Sequence, residues 1–361
     1  MAEYKMQPIA VPPLPEQARI VVKVDQLMAL CDVLEEKQTK KRETRVRLNA
    51  ACLDRLTTAK SPKHFAKHWT RICDHFELLY EVPETVEQLR QAILQLAVMG
   101  KLVPQDPRDE PVSKLVSQIE SLRKRLVIEK AIPNYQPHEG LDASELVRHA
   151  PSTWNWIQLG SIISLMDSGW SPKCHDHPSS PENWGVLRTT AVQQMRYDAT
   201  QHKALPEKLK PRPKYEVMPG DLLITRAGPR QRVGISCIVE ETPERLMISD
   251  KIIRFHLLGD KVLPAFFILC LNAGISRDFL DHQKSGMAVS QMNIPQAKLR
   301  LTPIPIAPTN EQRRIVERVY KLRTLCADLE VKLKQSEEQS EKLMEAVVQE
   351  LVNGSPDREV R

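Results

Sequence analysis

The sequence of 361 residues contains no apolar run long enough to cross a membrane. The longest run, residues 265–271, falls far short of the roughly 20 residues that a bilayer span requires. Glycine is scarce, with 12 residues, and neither the glycine-rich loop of nucleoside triphosphatases nor the glycine turn of dinucleotide-binding enzymes occurs. The Asn/Asp-Pro-Pro-aromatic motif of enzymes that methylate amino groups of DNA bases is also absent. These absences argue against a membrane protein, a nucleotide-driven motor and a methyltransferase.

The cysteines do not form the pattern of a disulfide framework. There are seven, an odd number, and no two form a C-x-x-C pair. We therefore expect reduced thiols and an intracellular protein. The first ten residues, MAEYKMQPIA, lack the basic-then-apolar arrangement of a secretory signal. The sequence predicts a cytoplasmic chain with no membrane segment.

Positive charge is concentrated in the middle of the chain. The formal net charge is +6, and residues 151–305 carry 19 Lys and Arg against 14 Asp and Glu. Within this block, residues 200–232 contain eight basic and three acidic side chains. Such a stretch favours a polyanionic partner, because a protein that neutralises phosphates releases their counterions. A solvated surface that happens to be rich in Lys and Arg is the alternative.

Two long tracts without proline predict two long helices. All 27 prolines lie outside residues 16–61 and 310–355, and a proline inside a helix would cost roughly 3 kcal/mol. In the second tract an apolar pattern with steps of four and three runs for nearly five heptads, which is typical of a coiled coil. The first tract keeps the same pattern from Ile20 to Leu34 before its seam turns polar.

The two tracts are also related in sequence. Residues 8–38 align with residues 303–333 at a constant offset of 295, and the identical pairs include Gln17 and Gln312. A second similarity relates residues 89–100 to residues 343–354. A proline-rich strand end followed by a long helix thus occurs twice, on either side of the basic block. The pattern indicates an internal duplication.

Between the tracts, helices give way to short strands. Shorter helices are predicted at residues 62–80, 83–99 and 112–129, each beginning near a proline. From Trp154 onward, short β-rich runs are separated by Pro-Gly and Gly-Pro turns, and a helix is predicted from Pro264 to about His282. The predicted fold class is α+β: one globular α+β domain flanked by long helices that form an antiparallel coiled coil. The expected limits are 1–60 and 306–361 for the long-helix segments, 61–150 for a helical connector and 151–305 for the α+β domain.

Two groups of metal-ligand residue types are weak candidates for a site. Residues 174–177 read Cys-His-Asp-His, but no companion pair lies at ligand spacing elsewhere, which favours a polar loop. His64 and His68 lie four residues apart without the glutamate of an H-E-x-x-H motif, which favours exposed helix residues. No nucleophile, base and orienting residue form a set. The sequence predicts a binding protein without a catalytic site.

Together these pieces resemble the specificity (S) subunit of type I restriction–modification enzymes. The resemblance covers most of the chain, and the order of its motifs is more specific than any single motif. The motifs are Pro13-x-x-Glu16-Gln17, its copy Pro308-x-x-Glu311-Gln312, residues 89–107 (LRQAILQLAVMGKLVPQDP), Trp154-x-Trp156-x-x-x-Gly160, residues 220–224 (GDLLI) and residues 290–294 (SQMNI).

The resemblance implies a sequence-specific DNA-binding subunit with no catalytic activity of its own. In this family, target recognition domains read double-stranded DNA, and conserved helices form a spacer and dock the modification (M) and restriction (R) subunits. We expect S-adenosylmethionine, ATP and Mg in those partner subunits and no cofactor in this chain. Family members usually carry two recognition domains, whereas this chain has one, and residues 1–12 resemble only the tail of a preceding one. The chain therefore looks like the C-terminal half of an S subunit.

The duplication predicts a two-fold arrangement of two recognition domains. A helix of about 44 residues is roughly 66 Å long, which is nearly two turns of B-DNA. Two recognition domains, from paired half-subunits or from one complete subunit, would sit at opposite ends of the coiled coil and read a split target. A homodimer of identical halves would read a palindromic target.

The candidate DNA contacts are polar residues next to the predicted strands. Arg or Lys reads guanine, Asn or Gln reads adenine, and small hydroxyl or methyl groups suit thymine. The candidates are Arg188, Thr190, Gln193, Gln194, Arg226, Arg230, Gln231, Arg232, Lys284, Ser285, Ser290 and Gln291. Asp221 is instead expected to cap the 219–220 turn, and Trp154 and Trp156 to pack at the domain entry. The alternative function is a coiled-coil adaptor whose α+β domain binds protein rather than DNA.

Overall fold

The computed structural model describes residues 11–137, 146 and 150–353. The chain divides into two compact units, one formed by the residues up to Leu89 together with those from Leu329 onward, and the other by Arg90–Asp328. None of the helices in these described stretches is both long enough and apolar enough to cross a bilayer.

The first unit begins with helix α1 (Leu14–Thr57), whose 44 residues match the predicted long helix. It is followed by α2 (Pro62–Asp74), α3 (Phe76–Leu79) and the start of α4 (Pro83–Val98). The predicted single helix over residues 62–80 is therefore wrong, because the backbone leaves the helical conformation at His75. The break lets α3 turn back onto α1 and bury Leu79.

The two halves of α1 differ in how they are packed. In the C-terminal half, Leu53 and Leu56 are buried, and Asn49 donates a hydrogen bond of 2.7 Å to the Gln88 side chain. In the N-terminal half the apolar seam is exposed, with Ile20 and Leu34 each about half accessible (48% and 51%). The pairing of this seam with a second helix stays a prediction.

The second unit contains the end of α4, then α5 (Val112–Ile128), then an α+β domain, and then the start of a second long helix. The elements after α5 are β1 (Asn155–Gln158), α6 (Leu159–Ile162), β2 (Ile163–Ser168), β3 (Gly185–Leu187), β4 (Val192–Gln193), β5 (Arg196–Tyr197), β6 (His202–Ala204), β7 (Leu222–Thr225), β8 (Ala227–Gly228), β9 (Ser236–Ile238), β10 (Leu246–Met247), β11 (Ile252–Leu257), α7 (Pro264–Asn272), α8 (Gly274–His282), β12 (Met292–Asn293), α9 (Gln296–Arg300), β13 (Pro303–Ile306) and α10 (Thr309–Asn353). The α+β class with flanking long helices is confirmed, since the α+β domain follows one long helix in the chain and precedes another of 45 residues. The antiparallel coiled coil of these helices stays a prediction.

The α+β domain is built around an antiparallel four-stranded sheet with the order β2-β11-β7-β9. A second sheet has the order β10-β3-β6, with β10 parallel to β3. Side chains such as Leu223, Cys237 and Ile252 form the buried core between these strands. Helix α7 is almost entirely buried, which accounts for its apolar residues on every side. The ring of Phe267 on this helix meets the ring of Phe255 on β11 edge-on, with 6.1 Å between the ring centroids. This burial explains the apolar run at residues 265–271.

The predicted single helix from Pro264 to about His282 is two helices. The first helix ends at Asn272, whose side-chain amide donates to the backbone and side-chain oxygens of Ser236, at 2.9 and 2.8 Å. Gly274 then adopts a positive φ of 65°, which glycine tolerates at little cost. Its N–H donates to the Gln95 side chain at 3.0 Å, so the end of α4 is tied to this break.

Strands β1 and β13 pair where the α+β domain begins and ends, so the chain enters and leaves the domain at one place. Trp154, just before β1, is buried and meets Phe266 edge-on at 5.7 Å, which confirms its predicted packing role, and Trp156 is half-buried. Position 160 requires glycine because the backbone there lies so close to the Tyr135 ring that a Cβ atom would collide with it. These contacts give the Trp154-x-Trp156-x-x-x-Gly160 motif a structural role.

The structure supports the internal duplication. At the start of α1, Gln17 donates its side-chain N–H to the carbonyl oxygen of Pro12 at 2.7 Å. At the start of α10, Gln312 donates in the same way to Ala307, at 2.8 Å. Both acceptors lie five residues before the glutamine, so the two copies of the motif begin their helices with the same contact.

An ion-pair cluster centred on the buried side chains of Arg254 and Asp221 joins β7, β11 and β2. Arg254 donates through two nitrogens to Asp167, at 3.1 and 2.9 Å, and through a third to Asp221 at 3.3 Å. Asp221 also accepts the backbone N–H of Met218 at 2.9 Å, which confirms that it caps the turn at residues 219–220. His256 completes the cluster at 2.8 Å from Asp221. The cluster fixes β7, which is the strand that precedes the predicted DNA-contact loop at residues 226–232.

Candidate nucleic-acid interface

The loop over residues 226–232 leaves β7 with its backbone held on both sides. The N–H of Arg226 donates to Lys251, and the carbonyl oxygen of Arg226 accepts from Ile294, each at 2.9 Å. A tight turn follows, in which Arg232 and Val233 both donate to the carbonyl of Pro229. The turn places Arg230 and Gln231 at its exposed tip. The loop is therefore a fixed support for two polar side chains.

A second loop, residues 284–291, lies against the first. Strand β12 pairs with β8, and Ser285 and Asn293 exchange backbone hydrogen bonds of 2.9 and 2.7 Å. Arg230 donates its N–H to the carbonyl of Val289 at 2.8 Å, which joins the two loops directly. The two loops lie about 50 residues apart in the sequence, and the structure brings them into one surface.

Arg232 connects this surface to the third predicted segment. Its guanidinium donates to the carbonyls of Thr189 and Val192, at 2.8 and 2.9 Å, and to the Gln193 side chain at 3.2 Å. Burial lowers the pKa of Arg232, and its Nε has no hydrogen-bond partner within the described residues. A guanidinium held in this way positions the loops and does not reach outward.

Lys284 also points inward. Its side chain is only 3% exposed, and it donates to the carbonyl of Arg230 at 2.9 Å while forming an ion pair with Asp281. Burial lowers the pKa of Lys284, and the Asp281 carboxylate opposes that shift. The ammonium group therefore holds the tip of the first loop in place.

The remaining predicted residues on β3, β4 and the turns beside them have internal partners. Thr190 donates to the Gln201 side chain at 3.0 Å, and Gln193 donates to the carbonyl of Thr190 at 2.6 Å. Arg188 donates to the carbonyls of Asp176 and His202. These side chains lie half-buried beside the surface formed by the two loops.

Gln194 lies apart from the other candidates. Its amide exchanges hydrogen bonds of 2.8 and 3.2 Å with Gln91 of α4, and it also donates to the carbonyl of Asn272 at 3.4 Å. The structure thus brings Gln194 to the helix side of the domain and not to the two loops.

Four exposed side chains remain free on the surface formed by the two loops. Within the described part of the chain, the side chains of Arg230, Gln231, Ser290 and Gln291 make no hydrogen bond. Ser285 is exposed and bonds weakly to the carbonyl of Asn293, at 3.4 Å. Guanidinium, amide and hydroxyl groups are the types that reach base edges and phosphates in protein–DNA complexes.

Sequence reasoning missed two residues of this surface. Asn293 accepts a hydrogen bond of 3.3 Å from Arg226 Nε, and its backbone pairs with Ser285. Lys251 is exposed next to Arg226 and adds a positive charge. Asn293 stood in the SQMNI motif that carries the family resemblance, but only tertiary contacts show that it joins the two loops.

The two weak metal-ligand candidates do not assemble into a site. Among the described residues, no group of three or more His, Cys, Asp or Glu side chains is placed to hold a metal ion. In the 174–177 segment, Asp176 pairs with Lys203 at 2.5 Å, and the rings of His175 and His177 stack on each other. Burial raises the pKa of the Cys174 thiol, which disfavours its thiolate form.

The fold and the surface define a class: an α+β domain that follows one long helix in the chain, precedes another, and exposes a polar two-loop surface. Comparison with known proteins gives the family. The EcoEI type I restriction enzyme specificity subunit of Escherichia coli is 43% identical over 351 residues, which are 97% of this chain and 59% of that protein. The EcoAI specificity subunit of the same species is 28% identical over 355 residues, with the same two shares. The chain is a homologue of type I restriction enzyme specificity subunits.

The chain spans about three-fifths of the length of these relatives. Among solved structures, the HsdS subunit from Thermoanaerobacter tengcongensis aligns with 73% of this chain and 57% of its own, at 19% identity and a TM-score of 0.37. No family model matches the sequence. The homology therefore stands on the two sequence alignments.

Proposed function

We propose that this chain is the part of a type I specificity subunit that reads one portion of a bipartite DNA target. The observation that carries the proposal is the surface formed by residues 226–232 and 284–293. It presents Arg230, Gln231 and Gln291 outward from backbone that is fixed by hydrogen bonds between the loops. A protein that reads base edges needs free donor groups to bond the bases. A rigid support favours binding because a fixed backbone loses little entropy when the complex forms.

The proposal assigns no catalytic step to this chain. Its role is to select the site and to dock the M and R subunits, which would act on the DNA in the cytoplasm. S-adenosylmethionine, ATP and Mg would be bound by those partner subunits. The long helices are the candidate docking elements, since exposed charged side chains such as Arg42, Arg47 and Glu338 line them.

The duplication supports a second recognition domain in the working complex. At the start of α10, Gln312 accepts the N–H of Leu263 at 2.8 Å, and Ile315 and Val319 are buried against the α+β domain. At the start of α1, the counterparts Ile20 and Val24 are about half exposed. Equivalent residues of the duplicated motif thus pack against a domain at the start of α10 and are exposed at the start of α1.

The second similarity leads to the same proposal. At the end of α4, Leu94 is fully buried and Gln95 accepts the N–H of Gly274 at 3.0 Å. In α10 the counterparts Val348 and Gln349 are exposed. We therefore propose that the start of α1 and the end of α10 hold a further α+β domain of the same kind, from a longer subunit or from a second copy of this chain in a homodimer.

Salt-dependent binding to duplex DNA tests the DNA-reading role. With about four phosphate contacts, the affinity for a duplex should fall about 100-fold between 50 and 200 mM salt, because bound phosphates release counterions. Fluorescence anisotropy with the full chain and a labelled duplex measures this dependence. A chain that binds no duplex, or that binds a protein partner through the two loops with no salt dependence, would instead be a coiled-coil adaptor.

A further inference from the structure

The loop over residues 284–291 carries an apolar tip that nothing in the described part of the protein covers. Met287 is fully exposed, and Val289 is 68% exposed. Many other large apolar side chains of this domain, such as Ile253 and Phe255, are completely buried. A single exposed apolar residue is ordinary on a protein surface, but two on one loop tip mark a place where a partner can remove apolar area from water.

The tip is held in one conformation by its base. The backbone N–H of Arg230 donates to the carbonyl of Val289, and the backbone N–H of Gln291 donates to the carbonyl of Ala288 at 2.9 Å. Gly286 lies so close to the backbone of Gln291 that a Cβ atom would collide with its carbonyl. The apolar side chains therefore extend from a closed and pinned loop, so a partner that meets them loses little entropy in ordering it.

The surroundings of the tip indicate which partner it meets. Arg230, Gln231 and Gln291 beside it offer donors suited to guanine and adenine. In the major groove, thymine differs from the other bases by its C5-methyl group, which only apolar atoms recognise. A protein partner would have to supply carboxylates at matching positions to pair with the basic groups of this surface, whereas any DNA duplex carries phosphates that neutralise them.

We propose that Met287 and Val289 contact the C5-methyl groups of thymines in the major groove of the target. This inference rests on the proposed function, since it assumes that the two-loop surface faces DNA. Apolar contacts would then discriminate thymine, and the polar side chains on either side of the tip would read the purines.

Replacing thymine by uracil removes only the methyl group and tests the contact. The complex of the full chain with its M subunit is titrated with target duplexes in which single thymines are replaced. At one or two positions, uracil should weaken binding about three- to tenfold, the range expected when one methyl group no longer packs against an apolar side chain. The Met287→Ala and Val289→Ala double variant should bind thymine and uracil duplexes equally. 5-Bromouracil, which fills the volume of the methyl group, should restore tight binding by the unmodified chain.

Met218→Ala is the matched control, because Met218 is an exposed methionine outside the two loops. This variant should keep the full preference for thymine over uracil. If the unmodified complex binds the duplex but uracil weakens binding at no position, the thymine contact is refuted while the proposed function stands. If the unmodified complex binds no duplex, the proposed function itself fails. If the complex formed by the double variant keeps the thymine preference, the tip does not contact the methyl group and the inference is overturned.

Discussion

Replacing Arg226 and Arg230 together by alanine is expected to lower the affinity for target duplex by about 30- to 1000-fold, since each arginine contact to a base or phosphate contributes roughly 1–2 kcal/mol. Arg230 is exposed with an unbonded side chain, and Arg226 uses one nitrogen to bond Asn293 at 3.3 Å. Neither is a main support of the fold. The free energy of unfolding should therefore change by no more than about 0.5–1 kcal/mol.

The single variants separate two kinds of contact. An arginine that reads a base should, when replaced, relax selectivity at one target position, whereas a phosphate contact should weaken binding to every sequence and reduce the salt dependence. Arg232→Ala is the informative comparison, because Arg232 holds the segment at residues 189–193 from inside. It should lower stability as well as affinity. Arg196→Ala, on an exposed residue of β5, should change neither. Binding by the Arg226→Ala and Arg230→Ala double variant that equals the unmodified chain would remove the first loop from the interface.

Arg254→Ala is expected to lower the free energy of unfolding of the α+β domain by about 3–5 kcal/mol, because it leaves the buried Asp221 carboxylate and the partly buried Asp167 carboxylate without this partner. Arg254 is 7% exposed and donates to both Asp167 and Asp221. It also donates to the backbone carbonyls of Glu216 and Lys214, at 2.8 and 2.9 Å. Alanine replaces none of these donors.

Urea denaturation followed by circular dichroism measures this effect on stability. Arg254→Lys should recover only part of the loss, since an ammonium group has three donors and lacks the planar geometry that contacts two oxygens of Asp167 at once. Arg196→Ala again serves as the exposed control and should stay within about 0.5 kcal/mol of the unmodified chain. A loss below about 1 kcal/mol for Arg254→Ala would mean that solvent reaches the cluster and screens it.

The long helices were predictable because their signal is local. Proline is excluded from about 45 consecutive positions, and the residues of α1 and α10 follow those tracts closely. The breaks at His75 and Ala273 were not predictable, because tertiary contacts cause them. Leu79 turns back onto α1, and Asn272 binds Ser236 across the domain. Exact strand limits could not be predicted either, as at residues 189–191, where a turn of 3₁₀ helix separates β3 from β4.

The candidate site was predictable as a set of segments but not residue by residue. The two loops and the 188–194 segment could be predicted because Arg, Gln, Ser and similar polar residues lie there next to predicted strands. The sequence contains no sign that Arg232 and Lys284 turn inward, because their acceptors are backbone carbonyls distant along the chain. Gln194 likewise meets α4 through a contact spanning 103 residues. Nothing in the sequence distinguishes Met287 from any other surface residue, because the loop that exposes it is closed by tertiary hydrogen bonds.

Mapping methylated bases in cells that co-express this chain with a type I modification subunit tests the central claim, the proposed DNA-reading role, most directly. Sequence reading by the two-loop surface predicts methylation at one short motif, and the Arg226→Ala and Arg230→Ala double variant should lose or change that motif. A palindromic pattern would identify a homodimer of identical halves, and an asymmetric split pattern a complex with a different recognition domain. Methylation by the unmodified chain and the double variant at the same motif and to the same extent would contradict the account.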